Sequence, residues 1–182
     1  MRVDLQLQNK VVAITGGSKG IGFQVALQFV EEGANVAICA RGEKQLQVAK
    51  DSIFQQTGKE IAIFPCDVSK EEDCKEFIEG VIKKYGRIDI LVNNAGTAAA
   101  FSFEQVGNEL WRNDLDLKLF STINCAKYAV QEMKKQKSGA IINVTAVLAK
   151  TPPANSLPTT VSRAAGIALT KAMSNDLGPS GI

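Results

Sequence analysis

The stretch TGGSKGIG, from Thr15 to Gly22, has residue types and a spacing that could hold a phosphate group. It follows an apolar run and opens a segment with helical spacing, the context in which a glycine pattern carries meaning. Gly16, Gly20 and Gly22 would let the backbone turn tightly, approach a pyrophosphate and pack a helix closely on a sheet. Free amides and a positive dipole at the start of that helix would attract the anion. The stretch therefore predicts a dinucleotide-binding loop, with a tight turn that binds nothing as the alternative.

The same residues also fit the G-x-S-x-G pattern of a hydrolase, with Ser18 as the candidate nucleophile between Gly16 and Gly20. A serine nucleophile of that type needs a histidine base, and the chain contains no histidine. The same absence removes cysteine-histidine catalysis and zinc sites built on histidine. The four cysteines show no metal-binding spacing and are expected to be buried, reduced thiols. The sequence therefore argues against a hydrolase and predicts no metal site.

The end of the second apolar run bears on the choice of cofactor. Proteins that bind NAD usually place an acidic residue there, where it bonds the ribose hydroxyls. This chain has Arg41 instead, and Arg41 together with Lys19 of the glycine loop could bind a 2′-phosphate. NADP(H) is therefore favoured over NAD(H), with a solvated strand-end charge as the alternative interpretation of Arg41.

Five short apolar runs alternate with segments of helical spacing along the chain. The runs are continuous, as expected of strands that are covered on both faces. Strands that alternate with helices predict βαβ units, a parallel sheet and right-handed crossovers. The predicted strands are Lys10 to Thr15, Asn35 to Ala40, Glu60 to Pro65, Ile88 to Asn93 and Ala140 to Thr145. The predicted helices are Ile21 to Glu32, Glu43 to Gln56, Ser69 to Tyr85, Asn108 to Lys134 and Pro158 to Asp176.

Three local features of these elements carry further expectations. Ser69 and Glu72 have capping-box spacing, so Ser69 is expected to cap the third helix. Ile21 is expected to join the apolar stripe of the first helix. The last strand, 140–145, contains no charge and would form an apolar sheet edge, which isolated proteins normally avoid.

These features together resemble the short-chain dehydrogenase/reductase family over nearly the whole chain. The glycine loop matches the family's cofactor loop, Asp67 and Val68 match the pair beside the adenine, and NNAG (Asn93 to Gly96) matches the signature after the fourth strand. The resemblance implies an α/β fold: a Rossmann-type, doubly wound parallel sheet of five strands in the order 3-2-1-4-5, with helices on both faces. It implies one NAD(P)-binding domain over residues 1–182. The cofactor-binding residues implied are Gly16, Ser18, Lys19, Gly20, Ile21, Gly22, Arg41, Asp67, Val68, Asn93, Ala95, Gly96 and Arg163.

The family's catalytic set of Asn, Ser, Tyr and Lys is replaced in this chain. The family's spacing puts Lys118, Ala146, Thr159 and Arg163, respectively, at those four positions. A threonine hydroxyl is a far weaker acid than a tyrosine, and Arg163 could hold a ribose hydroxyl but cannot pass on a proton. Lys118 would put a cation where the family has a neutral amide, unless it is a solvated helix residue. The residues that could otherwise act as the acid are Thr145, Thr160, Ser162 and Lys118, each of which also has a purely structural explanation.

Two functions are compatible with this pattern. The first is an NADP(H)-binding oxidoreductase that transfers hydride between a small carbonyl or alcohol substrate and the cofactor, with a degenerate catalytic set. The alternative is a catalytically inactive cofactor-binding pseudoenzyme with a regulatory or assembly role.

Charge and chain ends complete the expectations. The net charge of +2 and scattered basic residues predict no nucleic-acid or membrane partner, and the start of the chain lacks a secretory signal, so a cytoplasmic location is expected. The resemblance implies a homo-oligomer formed through the two long helices. It also implies further strands and a substrate loop beyond Ile182, so we expect the chain to be truncated, or its last strand to be covered by a partner.

Overall fold

Five parallel strands form the central sheet of the molecule. The computed structural model describes residues 4–182, so the first three residues of the predicted domain lie outside the described residues. Seven strands are present in the described part of the chain, and two of them are short. The strands are β1 (Val11–Thr15), β2 (Asn35–Ala40), β3 (Ala62–Pro65), β4 (Ile90–Asn93), β5 (Ala100–Phe101), β6 (Ala140–Asn143) and β7 (Leu157–Pro158).

The central sheet has the order β3-β2-β1-β4-β6. Because β6 is the fifth of the predicted strands, this confirms the expected 3-2-1-4-5 order and the Rossmann-type α/β fold. β6 lies at one edge of the sheet, where Ile142 is 46% exposed. The sequence did not predict the second sheet, in which β5 and β7 pair antiparallel.

Six α-helices are present in the described residues. They are α1 (Gly20–Glu31), α2 (Glu43–Thr57), α3 (Glu71–Tyr85), α4 (Asn108–Leu115), α5 (Ser121–Gln136) and α6 (Thr159–Leu177). A π-helical segment, Asp116–Phe120, joins α4 to α5, so the long helix predicted from 108 to 134 is one helical run with a wider turn in its middle. Such π segments occur frequently at functional sites.

The alternation of side chains along β1 explains why both faces of the sheet carry helices. Val12 and Ile14 pack with residues of α1 and α2, including Leu27 and Leu46. Val11 and Ala13 point to the other face and pack with α3 and α5 residues such as Phe77. Burial of each large side chain of this kind contributes about 1.5–3 kcal/mol to folding. The helices packed on the two faces of the sheet therefore fix the positions of the loops at the carboxyl ends of the strands.

Two local predictions about the helices are wrong. Helix α3 begins at Glu71 with Lys70 at the N-cap and no side-chain capping bond, because the Ser69 hydroxyl donates to Asp67 Oδ1 at 2.8 Å. Glu72 pairs instead with Lys75, at 3.2 Å. Ile21 is 65% exposed and lies outside the apolar face of α1, since it stands in the first turn, beyond the edge of the sheet.

The four cysteines, Cys39, Cys66, Cys74 and Cys125, are buried and free, which confirms the prediction of reduced thiols. Within residues 4–182, no cluster of three or more His, Cys, Asp or Glu side chains is arranged to bind a metal ion. No helix in that range has the length and apolar character that a membrane crossing requires.

Asp89, just before β4, is expected to stabilise the fold through its buried carboxylate. The carboxylate accepts bonds from the Val11 amide at 2.8 Å and from Arg87 Nη2 at 2.6 Å. Burial raises the pKa of Asp89, but the bonds from Arg87 and Val11 and the nearby charges of Arg87 and Lys10 outweigh it, so the net pKa is lowered. Asp89→Ala leaves the Val11 amide unpaired, and the free energy of unfolding should fall by about 2 kcal/mol at neutral pH.

Urea denaturation at several pH values checks this prediction. Since the folded-state pKa lies below the unfolded value of about 4, the stabilisation is complete above that pH and is lost as the pH falls through the folded-state pKa. The gap between wild type and Asp89→Ala should therefore narrow in acid. Asp51→Ala, which removes an exposed carboxylate that accepts a hydrogen bond from the exposed Gln47, is the control and should change the free energy of unfolding little. A gap that stays constant into strong acid would contradict the assignment.

Candidate active site

A cleft of about 880 Å³ lies at the carboxyl ends of the central strands. It runs across the point between β1 and β4 where the strand order reverses, which is where parallel sheets of this type bind ligands. Most of the predicted cofactor residues line it. They are Gly16, Ser18, Lys19, Gly20, Ile21, Arg41, Asp67, Val68, Ala95, Gly96 and Arg163.

Gly22 and Asn93 were predicted at the cofactor but do not line the cleft. Gly22 packs α1 against the loop, since a Cβ there would lie 2.3 Å from the Gly16 carbonyl oxygen. Asn93 is buried within β4, and its side-chain amide donates to Asn143 Oδ1 on β6 at 2.9 Å. Gly22 and Asn93 therefore hold the elements that form the cleft, without lining the cleft themselves.

The loops after β1 and β4 are held together by Asn94 and Thr15. Thr15 Oγ1 accepts from the amides of Asn94 and Ala95, each at 3.0 Å. Asn94 Nδ2 donates to the carbonyl oxygens of Thr15 and Gly16, at 3.0 and 3.1 Å. Gly16 has φ +66°, and a Cβ there would lie 2.9 Å from the Ala95 Cα. The glycine loop is therefore fixed at one distance from the NNAG stretch.

The donor set at this end of the cleft fits a dinucleotide. The N-cap residue of α1, Lys19, makes no side-chain capping bond, so the first amides of the helix are available to a phosphate. Lys19 and Arg41 are exposed and line the same cleft. Gly16 lines the cleft and carries no side chain, so its backbone can approach a ligand closely.

Asp67 provides an anionic acceptor on the wall after β3. Burial raises the pKa of its carboxyl group, but the hydrogen bonds from the Ser69 hydroxyl and amide, together with Arg41 and Lys70, lower it by more. Asp67 is therefore ionised, and Val68 beside it is buried. A negative wall of this kind can accept hydrogen bonds from an amino group on a ligand.

The four residues that the sequence analysis aligned with the family's catalytic set lie together at the other end of the cleft. Ala146, Thr159 and Arg163 line it, whereas the Lys118 side chain is fully buried next to it. The interpretation of Lys118 as a solvated helix residue is wrong. Its ammonium group pairs with the buried Asp114, one turn earlier, and donates to Thr159 Oγ1 at 2.7 Å.

Asp114 is the functional candidate that the sequence analysis missed. Its second carboxylate oxygen accepts from Ser162 Oγ on α6 at 2.6 Å. The signal available in the sequence was the i, i+4 spacing of Asp114 and Lys118, which usually indicates an exposed helix pair. Here the side-chain exposures are only 3% and 0%, so the ion pair belongs to the interior.

Burial lowers the pKa of Lys118, the Asp114 carboxylate raises it, and the charge of Arg163 lowers it, with a net lowering. Arg163 itself is anchored, since its Nη1 donates to the Val144 carbonyl oxygen at 2.7 Å. Its guanidinium also lies against Gly96, where a Cβ would come within 2.6 Å of Nη2. Because its pKa is lowered, the buried Lys118 ammonium releases a proton more readily than a solvated lysine does.

The three other proposed acids, Thr145, Thr160 and Ser162, are used structurally. The Thr160 hydroxyl is buried and bonds the Ser156 carbonyl oxygen at 3.2 Å. Thr145 Oγ1 lies 3.5 Å from the Arg163 carbonyl oxygen, to which it donates. Ser162 is buried as well, and its proton is directed to Asp114.

Comparison with known proteins agrees with the fold. A family model described as short chain dehydrogenase matches residues 10–182. The 3-oxoacyl-[acyl-carrier-protein] reductase FabG of Chlamydia trachomatis is 32% identical over 176 residues, which cover 97% of this chain and 71% of that protein. The FabG of Staphylococcus epidermidis is 33% identical over 174 residues, covering 96% and 71%.

Solved structures give the same result. L-Sorbose reductase from Gluconobacter frateurii, complexed with NADPH and L-sorbose, matches with a TM-score of 0.95 at 29% identity, over 99% of this chain and 68% of that one. An NAD⁺-bound xylitol dehydrogenase matches with a TM-score of 0.92 at 29% identity, over 97% and 68%. The chain therefore belongs to the short-chain dehydrogenases, a family of oxidoreductases that bind NAD or NADP and act on carbonyl and alcohol groups.

Proposed function

We propose that this protein is an NADP(H)-dependent oxidoreductase that interconverts a small carbonyl compound and its alcohol. The observation that carries this proposal is the continuity of the cleft, which extends from Arg41 at the end of β2, past the glycine loop, to Ala146 and Thr159. A dinucleotide bound along it would supply hydride beside a hydroxyl group. The glycine loop and the start of α1 would hold the pyrophosphate.

Arg41 and Lys19 support the preference for a phosphorylated cofactor. Both are cations that line the cleft, Arg41 directly after β2 and Lys19 at the start of α1, and no acidic residue occupies the equivalent of the NAD ribose site at Cys39-Ala40-Arg41. The related structures include one with NADPH and one with NAD⁺, so the preference rests on the residues of this chain.

The pseudoenzyme remains the second candidate, because of the replaced catalytic positions. Ala146 has no hydroxyl to orient a carbonyl, and Arg163 is bonded to Val144 and keeps its proton. A protein that binds the cofactor without turnover would have the same glycine loop and the same cations. A cytoplasmic location and a homo-oligomer formed through the long helices likewise stay predictions.

Turnover distinguishes the two candidates. The chain would be incubated with NADPH and a panel of ketoses, small ketones and 3-oxoacyl thioesters, chosen after the substrates named for its relatives. The enzyme proposal predicts NADPH oxidation above a blank without carbonyl. Tight NADPH binding with no oxidation by any member of the panel would favour the pseudoenzyme.

Arg41→Ala should weaken NADPH binding by about 10- to 100-fold, because one charge-assisted contact to the 2′-phosphate is lost. NADH binding should be nearly unchanged, since NADH lacks that phosphate. Fluorescence titration with each cofactor measures both affinities. Lys44→Ala, which removes an exposed cation in the first turn of α2 that does not line the cleft, is the matched control. An equal loss for NADPH and NADH in Arg41→Ala would contradict the phosphate assignment.

A further inference from the structure

We propose that Thr159 is the proton donor of this site and that Lys118 is the proton source behind its hydroxyl. The pair would replace the family's tyrosine acid with a relay from a buried ammonium group through an aliphatic hydroxyl. This inference rests on the proposed carbonyl reduction and names the residues that perform its proton transfer.

The hydrogen bonds around Thr159 determine where its proton points. Thr159 Oγ1 accepts from Lys118 Nζ at 2.7 Å and from the Ala99 amide at 3.0 Å. A hydroxyl has two acceptor positions and one donor, so both acceptor positions are filled. Throughout residues 4–182, no protein acceptor receives a hydrogen bond from this hydroxyl. Because Thr159 lines the cleft, the free proton is available to a substrate oxygen there.

Lys118 can compensate for the weak acidity of the Thr159 hydroxyl by donating a proton to it. A threonine that gave up its proton alone would become an alkoxide, which is too basic to form near neutral pH. With Nζ in hydrogen-bond contact, a proton can pass from the ammonium to Oγ1 as the hydroxyl proton leaves. The alkoxide then never accumulates, and the acid that loses charge is Lys118, whose pKa is lowered by burial and by Arg163 against the opposing effect of Asp114.

The transfer balances in atoms and charge. A reduced nicotinamide held in the cleft would supply the hydride, with its two electrons, to the carbonyl carbon. The carbonyl π bond breaks, and its oxygen takes the Thr159 hydroxyl proton. Thr159 Oγ1 takes a proton from Lys118 Nζ, which becomes neutral. After the alcohol leaves, a proton from water in the cleft returns through the same hydroxyl to Nζ.

Asp114 positions this relay and does not take part in it. One carboxylate oxygen holds Lys118 and the other holds Ser162, three residues after Thr159 on α6. The pair thus connects the π-helical segment to the start of α6 and keeps Nζ beside Oγ1. Arg163, the other cation of this region, is engaged with Val144 and does not bond Thr159 in the described residues.

Thr159→Val tests the proposal, because valine keeps the shape and removes the hydroxyl. Reduction by Thr159→Val should fall about 10²- to 10⁴-fold, whereas Thr159→Ser should stay within about tenfold of wild type. NADPH affinity, measured by fluorescence titration, should be the same in all three proteins. In wild type, the rate of reduction should decrease as the pH rises through the pKa of Lys118.

A second measurement needs no cofactor and no substrate. The pKa of Lys118 would be followed by NMR of a chain with ¹³C-labelled lysine side chains. Loss of the hydroxyl acceptor destabilises the ammonium, so the pKa should drop further in Thr159→Val and stay near the wild-type value in Thr159→Ser. The same titration in both variants would overturn the contact.

The outcomes separate the relay from the function on which it rests. If Thr159→Val reduces the carbonyl as fast as wild type, the relay is overturned while the proposed function stands. If wild type binds NADPH and reduces no member of the carbonyl panel, the proposed function is overturned and the relay with it. Loss of rate together with loss of NADPH affinity in Thr159→Val would overturn the relay in favour of a structural role.

Discussion

Lys118→Met is expected to lower the free energy of unfolding by about 3 to 5 kcal/mol, a large part of the stability of a domain of this size. Methionine has a similar length but no charge, so the Asp114 carboxylate would stay buried and keep, among its partners in residues 4–182, the Ser162 hydroxyl alone. An uncompensated buried charge costs far more than the pair contributes when both members are present. Guanidinium denaturation followed by circular dichroism measures the loss.

Two further variants make this expectation specific to the buried ion pair. Lys127→Met removes an exposed lysine that pairs with Glu71 at 2.9 Å, with side-chain exposures of 56% and 51%, and should leave the free energy of unfolding nearly unchanged. The double variant Asp114→Asn, Lys118→Met removes both charges and keeps an acceptor for Ser162, so it should recover most of the loss. A double variant as unstable as the single one would contradict the explanation.

Gly22→Ala is expected to lower both the stability and the affinity for the cofactor. The new Cβ would lie 2.3 Å from the Gly16 carbonyl oxygen and 2.5 Å from Asn94 Nδ2, so α1 must move away from the glycine loop. Overpacking of this kind costs about 1 to 3 kcal/mol. Because the moved amides no longer face the phosphates, NADPH and NADH should both bind at least about tenfold more weakly, which corresponds to about 1.4 kcal/mol.

Gly166→Ala is the matched control for that change. Gly166 lies inside α6, and a Cβ there meets no atom within 4 Å in the described residues. Alanine should stabilise the helix by about 0.5–1 kcal/mol and leave cofactor binding unchanged. The same substitution is thus expected to act in opposite directions at the two positions. Equal stabilities for Gly22→Ala and wild type would show that the loop tolerates the displacement.

Most of the fold follows from local pattern. The apolar runs predicted all five central strands within two residues at each end, because strands covered on both faces are rich in continuous apolar residues, and the edge strand β6 keeps the same apolar composition. Their order followed from the family resemblance and is confirmed. The predicted cap at Ser69 failed because Asp67, two residues away, competed for the same hydroxyl. Short-range competition of that kind depends on the exact turn, which spacing alone does not specify.

The two ends of the cleft differ in how far the sequence could describe them. The cofactor end follows from the glycine loop and Arg41, since loops after parallel strands must meet at one edge. At the other end, the sequence analysis gave Lys118, Thr159 and Arg163 as separate departures from the family. It could not show that Lys118 contacts Thr159, because that contact joins residues 41 positions apart through a π-helical turn.

The Asp114–Lys118 pair also constrains how this sequence can change. The neutral amide implied for position 118 cannot return there alone, since Asp114 would be left without its partner in the interior. Loss of Asp114 alone would instead leave the buried Lys118 ammonium without its carboxylate partner. Positions 114 and 118 are therefore epistatic, and a path between this chain and one with the usual residues crosses an unstable intermediate unless both change together. In other chains, Asp at the position of Asp114 and Lys at the position of Lys118 are therefore expected to occur together.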